Sequence, residues 1–71
     1  MTSTEYIIAK LREFVNSFHQ ARARYEIGTD GVTHIVEIVP NEVYHMDDSY
    51  LEWEDQFFND FVSQFPHENI C

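Results

Sequence analysis

The chain has 71 residues, of which 44% are hydrophobic and 15% aromatic, and its formal net charge is −9. That length holds a single core, spanning residues 1–71, and the apolar content is too high for an intrinsically disordered chain. A lone cysteine, Cys71, excludes a disulfide framework, and no run approaches the ~18 apolar residues of a membrane span.

Charge is distributed unevenly. All four basic side chains, Lys10, Arg12, Arg22 and Arg24, lie in residues 1–24 beside Glu5 and Glu13, whereas residues 25–71 carry eleven carboxylates and no Lys or Arg. Such a surface repels nucleic-acid phosphates and anionic lipid headgroups, so direct nucleic-acid or membrane binding is not expected. The N-terminus, Met1-Thr2-Ser3-Thr4-Glu5, has neither the basic region nor the apolar run of a signal peptide. With one unpaired cysteine, this predicts a cytoplasmic protein.

The first predicted element is a helix over residues 3–20. Ile7, Ile8, Leu11, Phe14, Val15 and Phe18 recur at the spacing that lines one helical face, within a stripe about 120° wide. Thr2 and Glu5 have the spacing of a capping box. The period then shortens to two: Ala21, Ala23, Tyr25 and Ile27 alternate with Arg22, Arg24 and Glu26, as in a half-buried strand. Gly28-Thr29-Asp30-Gly31 supplies a turn, and Val32 to Val39, rich in β-branched residues, supplies the return strand. Pairing Gly28 with Gly31 sets Tyr25 opposite His34, Ala23 opposite Val36 and Arg22 opposite Glu37. Ile35 and Val39 then share the second face with the arginines.

Pro40-Asn41 ends that strand, and residues 42–46 read either as a short third strand or as an extended connection. Asp47, Asp48 and Ser49 are capping residues, with Ser49 and Glu52 spaced as a second capping box. A helix from about residue 49 to 65 follows, carrying Tyr50, Leu51, Trp53, Phe57, Phe58, Phe61, Val62 and Phe65, and Pro66 stops it. Asn69-Ile70-Cys71 begins like a strand. The domain therefore reads as complete or as a fragment of a slightly longer chain.

The apolar arc of the second helix spans about 180°, more than one sheet covers. Trp53 and Phe57 are therefore interface candidates, together with Ile35 and Val39. Phe14, Phe18, Val36, Ile38, Phe58 and Phe61 are the expected core. Glu54 falls near the centre of the apolar arc, where a half-buried carboxylate has the makings of a general acid or base. His34, on the inward hairpin face, and His45 complete the candidate ionisable residues. His45 with Asp47 and Asp48 is the one local cluster of ligand types, but the paired spacings of a closed zinc site are absent, so neither metal nor cofactor is expected. GxSxG, HExxH, GxGxxG and P-loop motifs are absent too.

The order helix–strand–strand–(strand)–helix resembles that of double-stranded RNA-binding domains. The basic contacts of that family at the start of its second helix would fall on Asp47, Asp48 and Glu52, which have the opposite charge, so the resemblance is confined to element order. The expected fold is α+β, with two helices packed on one face of an antiparallel β-hairpin or small three-stranded sheet. The expected function is a protein-binding or self-association module without catalysis, its partner another protein or a second copy. An acidic nucleic-acid mimic that blocks a basic protein site is the alternative, and a small enzyme using Glu54 and a histidine is a third.

Overall fold

The structure is a computed structural model that describes residues 1–39 and 47–71. Helix α1 spans Ser3–Ser17. Its N-terminus is closed by the expected capping box: Thr2 Oγ1 accepts from the Glu5 N–H (3.1 Å), and Glu5 Oε1 accepts from the Thr2 N–H (2.9 Å). The helix ends three residues earlier than its periodicity suggests. Phe18 is the C-cap, and a turn from Phe18 to Ala21 aims the chain into the sheet.

Strands β1 (Arg22–Ile27) and β2 (Thr33–Val39) form the antiparallel hairpin. Its register differs from the expected one by two residues: Tyr25 pairs with Val36, Arg24 with Glu37 and Ile27 with His34. Asp30 is the reason. Its carboxylate accepts from the Val32 N–H (3.0 Å), the Thr33 N–H (2.9 Å) and the Thr33 hydroxyl (2.6 Å). This anchors a longer loop, which closes at the Gly28 N–H to Thr33 carbonyl bond (2.7 Å). Gly31 takes the positive φ of 76° that the loop requires. A shift of two preserves the side-chain parity, so each residue keeps its expected face. Glu37 thus pairs with Arg24 (3.5 Å) rather than with Arg22.

Helix α2 spans Asp48–Gln64, and Asp47, not Ser49, is its N-cap, accepting from the Tyr50 N–H (2.8 Å). The Ser49–Glu52 box is not formed, because Ser49 already lies inside the first turn. Past Pro66, strand β3 (Asn69–Ile70) runs parallel to β2, opposite Thr33 and His34. The described architecture is therefore α-β-β-α-β, an α+β fold with both helices on one face of a mixed sheet of order β1-β2-β3. The alternatives for residues 42–46 lie outside the described residues.

The core is aromatic. Ile7, Phe14, Phe61 and the His34 ring are fully buried, with Tyr6, Leu11, Ala21, Tyr50 and Phe57 close behind. Of the expected core, Phe14 and Phe61 take their places, while Phe18, Val36, Ile38 and Phe58 are half-buried. The difference arises because α2 packs on α1 as well as on the sheet. Tyr6 stacks on Phe57 (6.2 Å between centroids) and meets Phe65 (5.7 Å), and Phe14 contacts Trp53 (4.6 Å) and Tyr50 (5.8 Å). Each such pair contributes about 0.5–1.5 kcal/mol beyond its buried area. Among the described residues, no helix is long and apolar enough to cross a membrane.

Candidate functional site

Three places bear the candidate residues. The first is a polar chain built around His34, whose side chain is buried between the hairpin and α2. Its Nε2 lies 2.6 Å from Glu68 Oε1 and its Nδ1 lies 2.6 Å from the Tyr25 hydroxyl. Ser3 Oγ donates to the same Glu68 oxygen (2.7 Å), and Thr4 Oγ1 lies 3.1 Å from the Tyr25 hydroxyl. With His34 neutral, one proton arrangement satisfies every member. His34 donates from Nε2 to the Glu68 carboxylate, Tyr25 donates to Nδ1, and Thr4 donates to the Tyr25 oxygen. The His34 and Ser3 hydrogen bonds, in that order, hold the Glu68 carboxyl below the usual glutamate range.

A tyrosine–histidine–carboxylate chain has the grammar of a general-base relay. Here both ring nitrogens are engaged, and the ring is sealed against Phe61 (5.5 Å, edge to face) and Tyr25. What the chain joins is structural: the first turn of α1, both strands of the hairpin and the turn before β3. Tyr25 reaches His34 even though the two are not directly paired, because they are diagonal neighbours on one face of the hairpin. Glu68, Ser3 and Thr4 carry no signal in the sequence that would assign them to His34, since Glu68 is 34 residues away.

The second place is a groove of about 630 Å³ between the far end of β2 and α2. Val36 and Ile38 form one wall, Trp53 and Phe58 the other, and Cys71 lies at one end. Glu54 stands on the helical wall and accepts a 2.5 Å hydrogen bond from the Tyr50 hydroxyl. Burial, and then that bond, push the Tyr50 phenol well above the ordinary tyrosine range. Glu54 and His34 therefore belong to separate polar clusters. Phe57 is only 2% exposed, since the rings of Tyr6 and Trp53 cover it. Trp53 is half-buried at the groove. The apolar residues that α2 does expose are Leu51 (43%) and Val62 (57%), which share a stripe with Phe58.

The third place is the outer face of the sheet, opposite the helices. Ile35 (42% exposed) and Val39 (37%) lie there as expected, among Arg22, Arg24, Glu26 and Glu37. His45 lies outside the described residues. Among the described residues, no group of three or more His, Cys, Asp or Glu is placed to hold a metal ion. Comparisons with protein-family models, with curated proteins and with solved structures give no match.

Proposed function

We propose that this chain is a protein-binding and self-association module with no catalytic chemistry of its own. The observation that supports it is the outer sheet face, where Ile35 and Val39 stay exposed between two arginines and two glutamates. A patch with both signs of charge around β-branched residues is self-complementary across a two-fold axis. The arginines of one copy meet the glutamates of the other, and Ile35 packs near its own symmetry mate. The net charge of −9 opposes association in general. It does so least on this face, which carries two of the four basic residues.

Light scattering tests the reading. A dimer at micromolar concentration is expected, reduced to monomer by Ile35→Ser combined with Val39→Ser. A strictly monomeric wild-type mass at ~100 μM overturns it, given the affinities of ordinary interfaces.

A different observation favours the acidic-mimic reading. Asp48, Glu52 and Asp55 are exposed at i, i+4 and i+7 on α2, a row of carboxylates along one helical face. Binding to a basic protein that collapses with added salt is its signature. Self-association through Ile35 and Val39 is the less salt-sensitive of the two.

A further inference from the structure

Strand β1 is an edge of the sheet, and the hydrogen-bond phase tells which of its amides face outward. Toward β3, β2 uses the Val32 carbonyl, the His34 carbonyl and the Val36 N–H. Its odd-numbered residues therefore turn toward β1, in agreement with the bond from the Gly28 N–H to the Thr33 carbonyl. Glu26, Arg24 and Arg22 continue that set, opposite Ile35, Glu37 and Val39. The backbone groups of Ala23, Tyr25 and Ile27 are left pointing away from β2. Among the described residues, no strand or backbone hydrogen bond meets them. Val39 pairs with Arg22, and α2 begins with Tyr50 against Phe14 and Phe18. The residues that flank 40–46 thus lie at the Arg22 end of the hairpin, with Tyr25 about 10 Å further along at 3.3 Å per residue.

We propose that two copies of this chain join edge to edge through β1, antiparallel about a two-fold axis at Tyr25. In that register Tyr25 meets Tyr25 of the second copy, and Ala23 meets Ile27, each pair exchanging two backbone hydrogen bonds. All three outward-facing residues are used. Charge selects the same register. Arg24 and Glu26 share the outer face of the sheet, and each falls opposite the other in the second copy. Arg24, 3.5 Å from Glu37, then stands between two glutamates, and Glu26, which has no ion pair among the described residues, gains one. Centring the axis on Arg24 instead sets two arginines against each other and leaves Ile27 unpaired. On the inner face, Ile27 is 47% exposed and comes opposite Ala23. There an open groove of about 250 Å³, lined by Leu11, Val15 and Ala23, receives its side chain. The inference rests on the self-association half of the reading above and adds the sheet edge to the outer face. Three strand pairs make a contact smaller than ordinary stable interfaces, so a dissociation constant near ~1 mM is expected for the edge alone.

The test starts from Ile35→Ser combined with Val39→Ser, which removes the outer-face contact. Arg24→Glu and Glu26→Arg are added to that background separately, with the fold of each protein checked by circular dichroism. Each alone sets like charges opposite one another in the proposed register and should stay monomeric at ~1 mM by diffusion NMR. An equimolar mixture restores both ion pairs. It should associate at least about tenfold more tightly than either variant alone and shift the Tyr25 and Ile27 amide resonances. Ile27→Pro in both components should abolish this association. It removes an N–H that points away from β2, where an edge strand tolerates proline.

A mixture that stays monomeric overturns the proposal. So does a mixture indifferent to Ile27→Pro, as that would mean charge attraction without strand pairing. A Tyr25 amide already protected from exchange in the dilute single variants overturns it too, since the edge would then be occupied. A wild-type dimer at micromolar concentration with a silent mixture sinks this inference and leaves the outer-face contact standing. A wild type monomeric at ~100 μM whose charge variants pair on mixing does the reverse.

Discussion

His34 and Glu68 give the acid response of this protein its sign. The Glu68 carboxyl is held below its ordinary range by the hydrogen bond from His34 and then by that from Ser3. A carboxylate depressed in the folded state stabilises the fold above the unfolded pKa of about 4.3, and that stabilisation is lost as pH falls toward the folded value. Glu5 and Asp30 are depressed too, through the capping box and the hairpin loop, and so act with the same sign. Stability should therefore decline on acidification below about pH 4.3. Glu68→Gln keeps an acceptor for Ser3 and His34 but removes the titrating group. Urea midpoints measured across that window should fall less steeply in the variant than in wild type. Parallel curves would mean that the hydrogen bonds to Glu68 do not discriminate between its two protonation states.

At the scale of elements, each helix and the hairpin is held by one carboxylate near its start or its turn. Glu5 closes α1, Asp30 ties the hairpin loop and Asp47 caps α2. The third assignment is open to a direct contrast, because Ser49 has the capping-box spacing to Glu52 while Asp47 makes the bond. Asp47→Ala should cost about 1 kcal/mol, the usual loss for an N-cap, whereas Ser49→Ala should be neutral or slightly stabilising, because Ser49 lies inside the helix and alanine is the better helix former. Thermal denaturation of the two variants settles the matter, and the reverse order would relocate the start of α2. β3 is a short element whose three ladder bonds to β2 are supplemented by the Glu68–His34 contact just before it. Side-chain anchoring of this kind compensates for a strand far shorter than the usual five or six residues.

For the molecule as a whole, stability rests on aromatic contacts between the two helices above the sheet. Phe57 and Phe58 are neighbours in sequence with different surroundings. Phe57 is enclosed by Tyr6, Trp53 and Phe58, whereas Phe58 borders the groove. Phe57→Ala should cost about 3–5 kcal/mol, enough to unfold a domain of this size, and Phe58→Ala clearly less. Calorimetry on both variants checks the order, and a more damaging Phe58→Ala would mean that α2 is rotated by one position about its axis. The half-buried Phe58 is also the residue through which the exposed Leu51 and Val62 stripe meets the groove.

What could be read from the sequence was whatever depends on residues close together along the chain. The 3.6-residue recurrence of Ile7, Leu11 and Phe14, the reciprocal reach of Thr2 and Glu5, and the alternation through Ala23, Tyr25, His34 and Val36 are local geometry. Each survives in the structure even where the hairpin register moved by two. The exposure of Ile35 and Val39 belongs to the same class, since parity alone assigns them to the outer face. Tertiary structure decided which of several equivalent local choices was taken. The wide apolar arc of α2 suits several rotations about its axis, and packing of Tyr6 and Phe14 against it selected Phe57 and Tyr50 for burial. Asp30 chose the hairpin register through three hydrogen bonds whose strength does not follow from counting residues between glycines. Glu68 came to His34 only because α2 carries the chain back alongside β2, and the groove beside Ile38 exists because β3 accompanies that strand for part of its length.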